Sequence, residues 1–205
     1  MDFSLLETMR VDGGAIARRD QHMARAAAAA AHFGFRWDLA AVERALDDAL
    51  ATRQTGTWRL RLLVAAAGTV TTMCTEHADD AGRVWKVALA AEPVDSRDEF
   101  LRHKTTRRDV YTRARAARPD VDEVVLWNER SEVTEATIAN IVAELDGTWY
   151  TPPLSCGLLP GVFRAAVLGA DMVRERVVTK DELRRATRMW LINSLREWIP
   201  ATLVP

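Results

Sequence analysis

An α+β fold in two lobes is what this sequence predicts, and three observations predict it. Turn residues separate short, loosely alternating apolar runs near the start and again around Gly68, which is the pattern of β-hairpins. Between them lies an alanine-rich stretch of high helix propensity. Near mid-chain the polar segment Glu92-Pro93-Val94-Asp95-Ser96 breaks the pattern, and its proline disfavours helix at Glu92.

Taken in order, residues 3 to 11 alternate, Asp12-Gly13-Gly14 supplies the positive-φ residues of a tight turn, and Ala15 to Arg18 return. Asp20 is placed to cap a helix running roughly from Gln21 to His32, which ends before Gly34. A second helix follows Asp38. Trp58 to Val64, the turn Gly68-Thr69 and Val70 to Thr75 form a further hairpin, and Val84 to Ala90 another strand. Residues 1–92 thus read as a small N-terminal α+β lobe, 93–97 as a linker and 98–205 as a larger lobe. In the latter, Asp98 caps a helical turn ending near His103, and Thr106 to Ala117 carry a basic helix stopped by Pro119. A buried strand after Asp122, a turn carrying Glu135, a second strand and a proline-stiffened loop follow, then a helix from Gly161 to about Gly169. Met172 to Val178 read as a strand, a helix follows Thr179, and Met189 to Ile192 read as a last buried strand leading into Asn193-Ser194.

The bulk numbers narrow the function. With 48% hydrophobic residues in 205, the chain can bury a proper core. Its net charge of -1, from 28 basic and 29 acidic residues, offers neither nucleic acid nor an anionic membrane an electrostatic footprint, so the expected partner is a small molecule. Two cysteines, Cys74 and Cys156, make no disulfide framework. No metal site is expected. The N-terminus lacks a signal-peptide pattern and no apolar run reaches the length of a membrane span, so a cytoplasmic protein is expected.

The richest stretch runs from Asp122 to Arg164. It holds Asp-Glu-Val-Val-Leu-Trp-Asn-Glu, then Thr134-Glu135 and Asn140, then Thr151-Pro152-Pro153, then Gly157-Leu158-Leu159-Pro160-Gly161-Val162-Phe163-Arg164. Spaced in this order, these elements resemble the class IV aminotransferases, the fold-type IV pyridoxal-phosphate enzymes. The resemblance covers roughly Leu5 to Arg36 and Phe100 to Pro200, while 37–98 matches only in its coarse pattern of elements. It implies a D-amino-acid aminotransferase-like fold with a β-barrel-like larger lobe, a bound pyridoxal 5'-phosphate, and a homodimer. The family begins with a further strand ahead of its Phe-Glu-Thr motif, whereas here Phe3 stands five residues before Thr8, so one edge of the small lobe is expected to be missing or rebuilt.

The resemblance also assigns roles. Lys104 stands where the family carries its cofactor-attaching lysine. An amine attacks an aldehyde only when unprotonated, and Arg102, His103, Arg107 and Arg108 are the cations beside it that would lower its pKa. Read alone, Lys104 is a cation on a solvated basic face. The chain has three lysines, however, and the others, Lys86 and Lys180, fall in a predicted strand and at a helix start. Glu135 matches the carboxylate that keeps the pyridine nitrogen protonated, and Asn140 the asparagine that holds local backbone. For the phosphate, the resemblance implies Arg25 in His22-Met23-Ala24-Arg25, the backbone N–H groups of Val162 and Phe163, and Ser194. Thr8 and Arg10 fall on the family's Glu-Thr-x-Arg hairpin, a hydroxyl to relay a proton and a guanidinium to hold a carboxylate; Arg107 and Arg108 are alternative carboxylate binders.

Within the family, the ending from Trp190 to Pro200 resembles that of the aminodeoxychorismate lyases, with Glu197 in place of a glycine. The short beginning resembles lyase segments fused behind aminodeoxychorismate synthase components, which makes such a synthase the implied pathway partner. Elimination of pyruvate to leave 4-aminobenzoate is therefore the expected reaction. A transaminase of D-amino or branched-chain amino acids, and a non-catalytic relative that keeps the fold, are the alternatives. The presence of both Lys104 and Glu135 speaks against the last.

Overall fold

The structure, a computed structural model, describes residues 2–78 and 82–205. The chain folds as two compact units, Met1–Asp79 with Lys104–Arg107, and Asp80–His103 with Arg108–Pro205.

In the first unit a hairpin is formed by β1 (Ser4–Asp12) and β2 (Ala15–Ile16), turned by Gly13 at φ 54° and Gly14 at φ 82°. Helix α1 (Arg19–Phe33) follows, ended by Gly34 in the left-handed region, where its N–H reaches back to Ala30 and Ala31. Its N-cap is Arg18 rather than Asp20. Asp20 sits inside the first turn, where a carboxylate still suits the helix dipole. The helix expected after Asp38 is α2 (Leu39–Leu50), and Asp38 caps it by accepting from the Ala41 N–H. β3 (Thr57–Ala65) and β4 (Val70–Glu76) complete an antiparallel sheet in the order β2-β1-β3-β4. Leu5, Met9 and Val11 of β1 join Leu60, Leu62 and Val64 of β3 in one core with Ala29 and Ala30 of α1 and Val42 and Leu46 of α2. The small alanines let the helix backbone come close to its packing partners.

The second unit is built on an eight-stranded sheet in the order β10-β9-β8-β11-β12-β5-β6-β7. Its elements are β5 (Trp85–Leu89), α3 (Glu99–Arg102), α4 (Asp109–Ala116), β6 (Glu123–Trp127), β7 (Val133–Ala136), β8 (Asn140–Leu145) and β9 (Thr148–Thr151). They continue with α5 (Val162–Gly169), β10 (Arg174–Glu175), α6 (Lys180–Arg184), β11 (Arg188–Asn193) and β12 (Glu197–Leu203). The sheet curls. β7 lies at one edge, yet the tight turn at 137–139 and the Ala136↔Ala139 bridge bring it back to β8, third from the other edge. Inside the curl, Val87, Val125, Val133, Ile141, Ala143, Leu191 and Ile199 form one core with Leu183 of α6. A second core sets α4, through Tyr111, against Val124 and Leu126 of β6.

Several predicted boundaries move. Helix α4 begins at Asp109, not Thr106, because Lys104 to Thr106 pair as extended chain: Leu6 N–H donates to Lys104 O at 2.9 Å and Thr106 N–H to Ser4 O at 2.9 Å. The expected strand from Met172 to Val178 shrinks to β10, since Met172 N–H closes the end of α5 on Val167 O and Val178 O serves β7 through Val133 N–H. Strands β9 and β12 were not expected. β9 follows the turn Asp146-Gly147, both at positive φ (52° and 74°). β12 contains Pro200, but pairing with β5 starts only at Ala201, so the proline stands beyond the end of that neighbour.

Gly157 locks the loop before α5. It has φ +85°, and a Cβ there would lie 2.6 Å from Ser96 Cα and 2.8 Å from Ser96 O. Ser96 is itself fixed, its N–H and hydroxyl both donating to the Glu129 carboxylate at 2.9 and 2.7 Å. Gly157→Ala is therefore expected to lower stability by roughly 1–3 kcal/mol for the backbone alone, with added displacement of the loop. Urea unfolding of the two proteins side by side measures it.

Candidate active site

In the second unit the residues singled out from sequence converge on the start of α5. Glu135 lies in β7, not on the turn expected for it. The turn is the next segment, 137–139, and two groups outside the hairpin hold it. The buried Glu123 carboxylate accepts from Thr137 Oγ1 at 2.5 Å, Thr137 N–H at 3.3 Å and Val124 N–H at 2.7 Å. Arg108 donates to Thr137 O. Glu135, only 3% exposed, accepts from the Tyr111 hydroxyl at 2.7 Å. Burial first, and the neighbouring Glu135 carboxylate second, hold the Tyr111 phenol well above its ordinary pKa, so Tyr111 keeps its proton as the donor.

Asn140 links Glu135 to the helix opening. Its Nδ2 donates to Leu159 O at 2.9 Å and lies 3.4 Å from Glu135 Oε2. Gly161, the N-cap of α5, approaches so closely that a Cβ would fall 1.9 Å from Asn140 Oδ1; only a residue without one fits. No side chain caps α5 and no acidic residue occupies its first turn, while Val162 and Phe163 are buried. That is the donor set of an anion site: a helix N-terminus whose positive end is not neutralised by its own sequence. Ser194 follows β11, whose Ile192 pairs with Asn140 and packs against Phe163. The Asn193 side chain shapes the turn that carries Ser194 by accepting from Leu195 N–H at 3.0 Å and Arg196 N–H at 2.9 Å.

In the first unit, Lys104 is half-buried in the segment paired with the start of β1, and Thr105 bridges Leu5. Thr8 and Arg10 share one face of β1, Arg10 Nε donating to Asp12 at 2.7 Å. Arg107 is exposed and donates its N–H to Thr105 Oγ1 at 3.2 Å. The opposite face of β1 presents Glu7, which the sequence did not single out. Glu7 grips Arg25 with two hydrogen bonds, Nε–Oε1 at 2.8 Å and Nη2–Oε2 at 2.5 Å, and accepts from His22 Nδ1 at 2.7 Å. His22 and Arg25 are three apart on α1, so they lie on the same helix face above Glu7.

Electrostatics explain why this cluster tolerates burial. Burial alone would raise the Glu7 carboxyl, but the Arg25 charge and the hydrogen bonds from His22 and Arg25 outweigh it and bring Glu7 down to about 2. Burial dominates for His22 and lowers it despite Glu7. The neutral ring then donates through Nδ1, and its Nε2 is buried with no hydrogen-bond partner. Among the described residues no cluster of three or more His, Cys, Asp or Glu is arranged to hold a metal, and no helix is long and apolar enough to cross a membrane.

Comparison with known proteins places these features in a family. The model of the amino-transferase class IV family matches residues 4–204. A provisionally named aminodeoxychorismate lyase of Schizosaccharomyces pombe is 28% identical, across 98% of this chain and 90% of that protein. A provisionally named amino-acid aminotransferase from Mesorhizobium loti superimposes with a TM-score of 0.94 at 42% identity, over 99% of this chain and all of the other. The fold IV-transaminase of Curtobacterium pusillum shares the fold, with a TM-score of 0.85 at 22% identity, across 98% of this chain and 78% of its own. The fold is thus type IV.

The Glu7 cluster carries an acid-lability prediction. His22 has a folded pKa below its ordinary 6.5, so its contribution is complete above pH 6.5 and is lost as the pH falls below it. Glu7, lowered from 4.5 to about 2, contributes above pH 4.5 and loses that as the pH falls toward 2. Melting temperatures across this range are expected to fall in two steps. His22→Asn, which keeps a donor near the Nδ1 position, is expected to abolish the upper step and leave the lower one.

Proposed function

The chain belongs to the amino-transferase class IV family of pyridoxal-phosphate enzymes, and on that premise we propose that it is a 4-amino-4-deoxychorismate lyase, releasing pyruvate and 4-aminobenzoate. The observation that carries the lyase reading is the ending from Trp190 to Pro200, which spans most of β11, the Ser194 turn and the first half of β12. The S. pombe relative supports it. The M. loti structure, at 42% identity, favours a second reading, an amino-acid aminotransferase.

The residues suit pyridoxal phosphate. A buried carboxylate that accepts from the Tyr111 phenol matches a protonated ring nitrogen, and a helix N-terminus with no side-chain cap and close backbone approach at Gly161 matches a phosphate. When bound, the cofactor supplies an electron sink for the charge left on the substrate's amine-bearing carbon. In this reading Val162 and Phe163 N–H, the Ser194 hydroxyl and the Arg25 guanidinium bind the phosphate, with Glu7 fixing the aim of Arg25. Glu135 holds a proton at the ring nitrogen while Asn140 keeps the helix opening in place. Lys104 would hold the cofactor through Nζ until the substrate amine displaces it, and the released Lys104 amine would then take the proton from the amine-bearing carbon, with the Thr8 hydroxyl relaying it toward the departing pyruvate fragment. Arg10 and Arg107 hold substrate carboxylates.

Two measurements test this. Purified protein supplied with pyridoxal phosphate and 4-amino-4-deoxychorismate is expected to yield 4-aminobenzoate and pyruvate in equal amounts. If it ignores that substrate and moves the amino group of D-alanine to 2-oxoglutarate, the aminotransferase reading replaces the lyase. With pyridoxal phosphate supplied at saturation, Glu135→Gln is expected to hold cofactor near the wild-type level while turnover falls roughly 10²–10³-fold, the scale for losing one electrostatic contact to developing charge. Lys104→Ala is expected to abolish turnover, and full activity in that variant removes Lys104 from the proposal.

A further inference from the structure

We propose that Tyr111 is a positioning residue for Glu135: its hydroxyl fixes the carboxylate so that the remaining lone pairs face the cofactor's ring nitrogen. This rests on the cofactor reading above. A carboxylate on a flexible side chain can rotate, and the contact to a ring nitrogen has value only if the oxygen is already aimed. Here the aim is set from α4. The Tyr111 O–H to Glu135 Oε1 distance of 2.7 Å is that of a charge-assisted bond, with donor 8% and acceptor 3% exposed, so water does not compete for it. On the other oxygen, Asn140 Nδ2 is more distant, at 3.4 Å.

The phenol is itself fixed. Arg108 places its guanidinium 4.5 Å from the centre of the Tyr111 ring and donates to Thr137 O on the turn just after Glu135. Arg108 and Tyr111, three residues apart across the start of α4, therefore clamp the same hairpin at two points. The phenol, held well above its ordinary pKa by burial and by Glu135, stays a donor, which leaves Glu135 the acceptor.

The test uses Tyr111→Phe, which keeps the ring and its stacking with Arg108 and removes only the hydroxyl. Dissociation constants are measured for pyridoxal phosphate and for its 1-deaza analogue, in which C–H replaces the ring nitrogen. The ratio of the two reports the carboxylate-to-nitrogen contact without any turnover. Tyr111→Phe is expected to reduce the wild-type ratio about tenfold, and to change nothing further in a Glu135→Gln background. A Tyr111→Phe protein that binds both ligands more weakly by the same factor, or keeps the wild-type ratio, overturns the role of Tyr111 and leaves the cofactor reading standing. A wild-type ratio near one, with both ligands bound, overturns this inference alone, whereas wild-type protein that binds neither ligand overturns the cofactor reading and this inference with it. If Tyr111→Phe does not fold, 3-fluorotyrosine at position 111 changes donor acidity with little change of shape, and an unmoved ratio there overturns the proposal equally.

Discussion

A carboxylate taken out of water is tolerated only where donors converge on it, and three buried glutamates decide how the working segments of this chain are set. Glu7 ties β1 to α1, Glu123 ties the start of β6 to the turn after β7, and Glu135 ties β7 to α4. Each joins elements that apolar packing alone would leave free to slide. Hydrophobic burial is non-directional, whereas a carboxylate with its donors has a single satisfactory arrangement. The apolar cores thus supply cohesion and the glutamates supply register.

The three differ in how their charge is met. Glu7 faces a guanidinium and is held at about 2, so it remains an anion across the neutral range. Glu123 is surrounded by a hydroxyl and two backbone N–H groups, a neutral cradle fit for holding a turn. Glu135 accepts from a phenol and stands near an amide, a setting that orients the carboxylate without a full positive charge at those two contacts. The pairing with a cation in the Glu7 cluster grips a residue, Arg25, in a fixed pose.

Much of this was legible in the sequence wherever the signal was local. The Gly13-Gly14 turn, the helix after Asp38, the Asp98 cap, the Gly34 stop and the helix opening after Pro160-Gly161 rest on residues within a few positions of one another, and the structure places each as read. What escaped is long-range. Glu7 belongs to a strand of alternating pattern, and nothing nearby says that His22 and Arg25 will lie over it. Tyr111 sits on a helix whose arginines dominate its appearance, and its partner is 24 residues away. The strand β12 was obscured by Pro200, whose effect depends on where β5 begins. The start of α4 was misplaced because Thr106 satisfies its backbone on Ser4, a demand set by a strand at the other end of the unit's sequence.

The seating of β12 between β11 and β5 also bears on how the second unit is made. β5 comes from the beginning of that unit and β12 from its very end, and they pair in parallel, so no short hairpin can bring them together. Until residues 197–203 emerge from the ribosome, the inner edges of β5 and β11 have no partner for their backbone groups, and Ile199 is missing from the core they enclose. The first unit gathers its four strands from a contiguous stretch and lacks only the short Lys104–Arg107 segment. Synthesis from the N-terminus would therefore deliver one nearly finished sheet early and hold the other open until residues 197–203 are made. Over that interval the exposed strand edges of the second unit are the part of the nascent chain most in need of protection from aggregation.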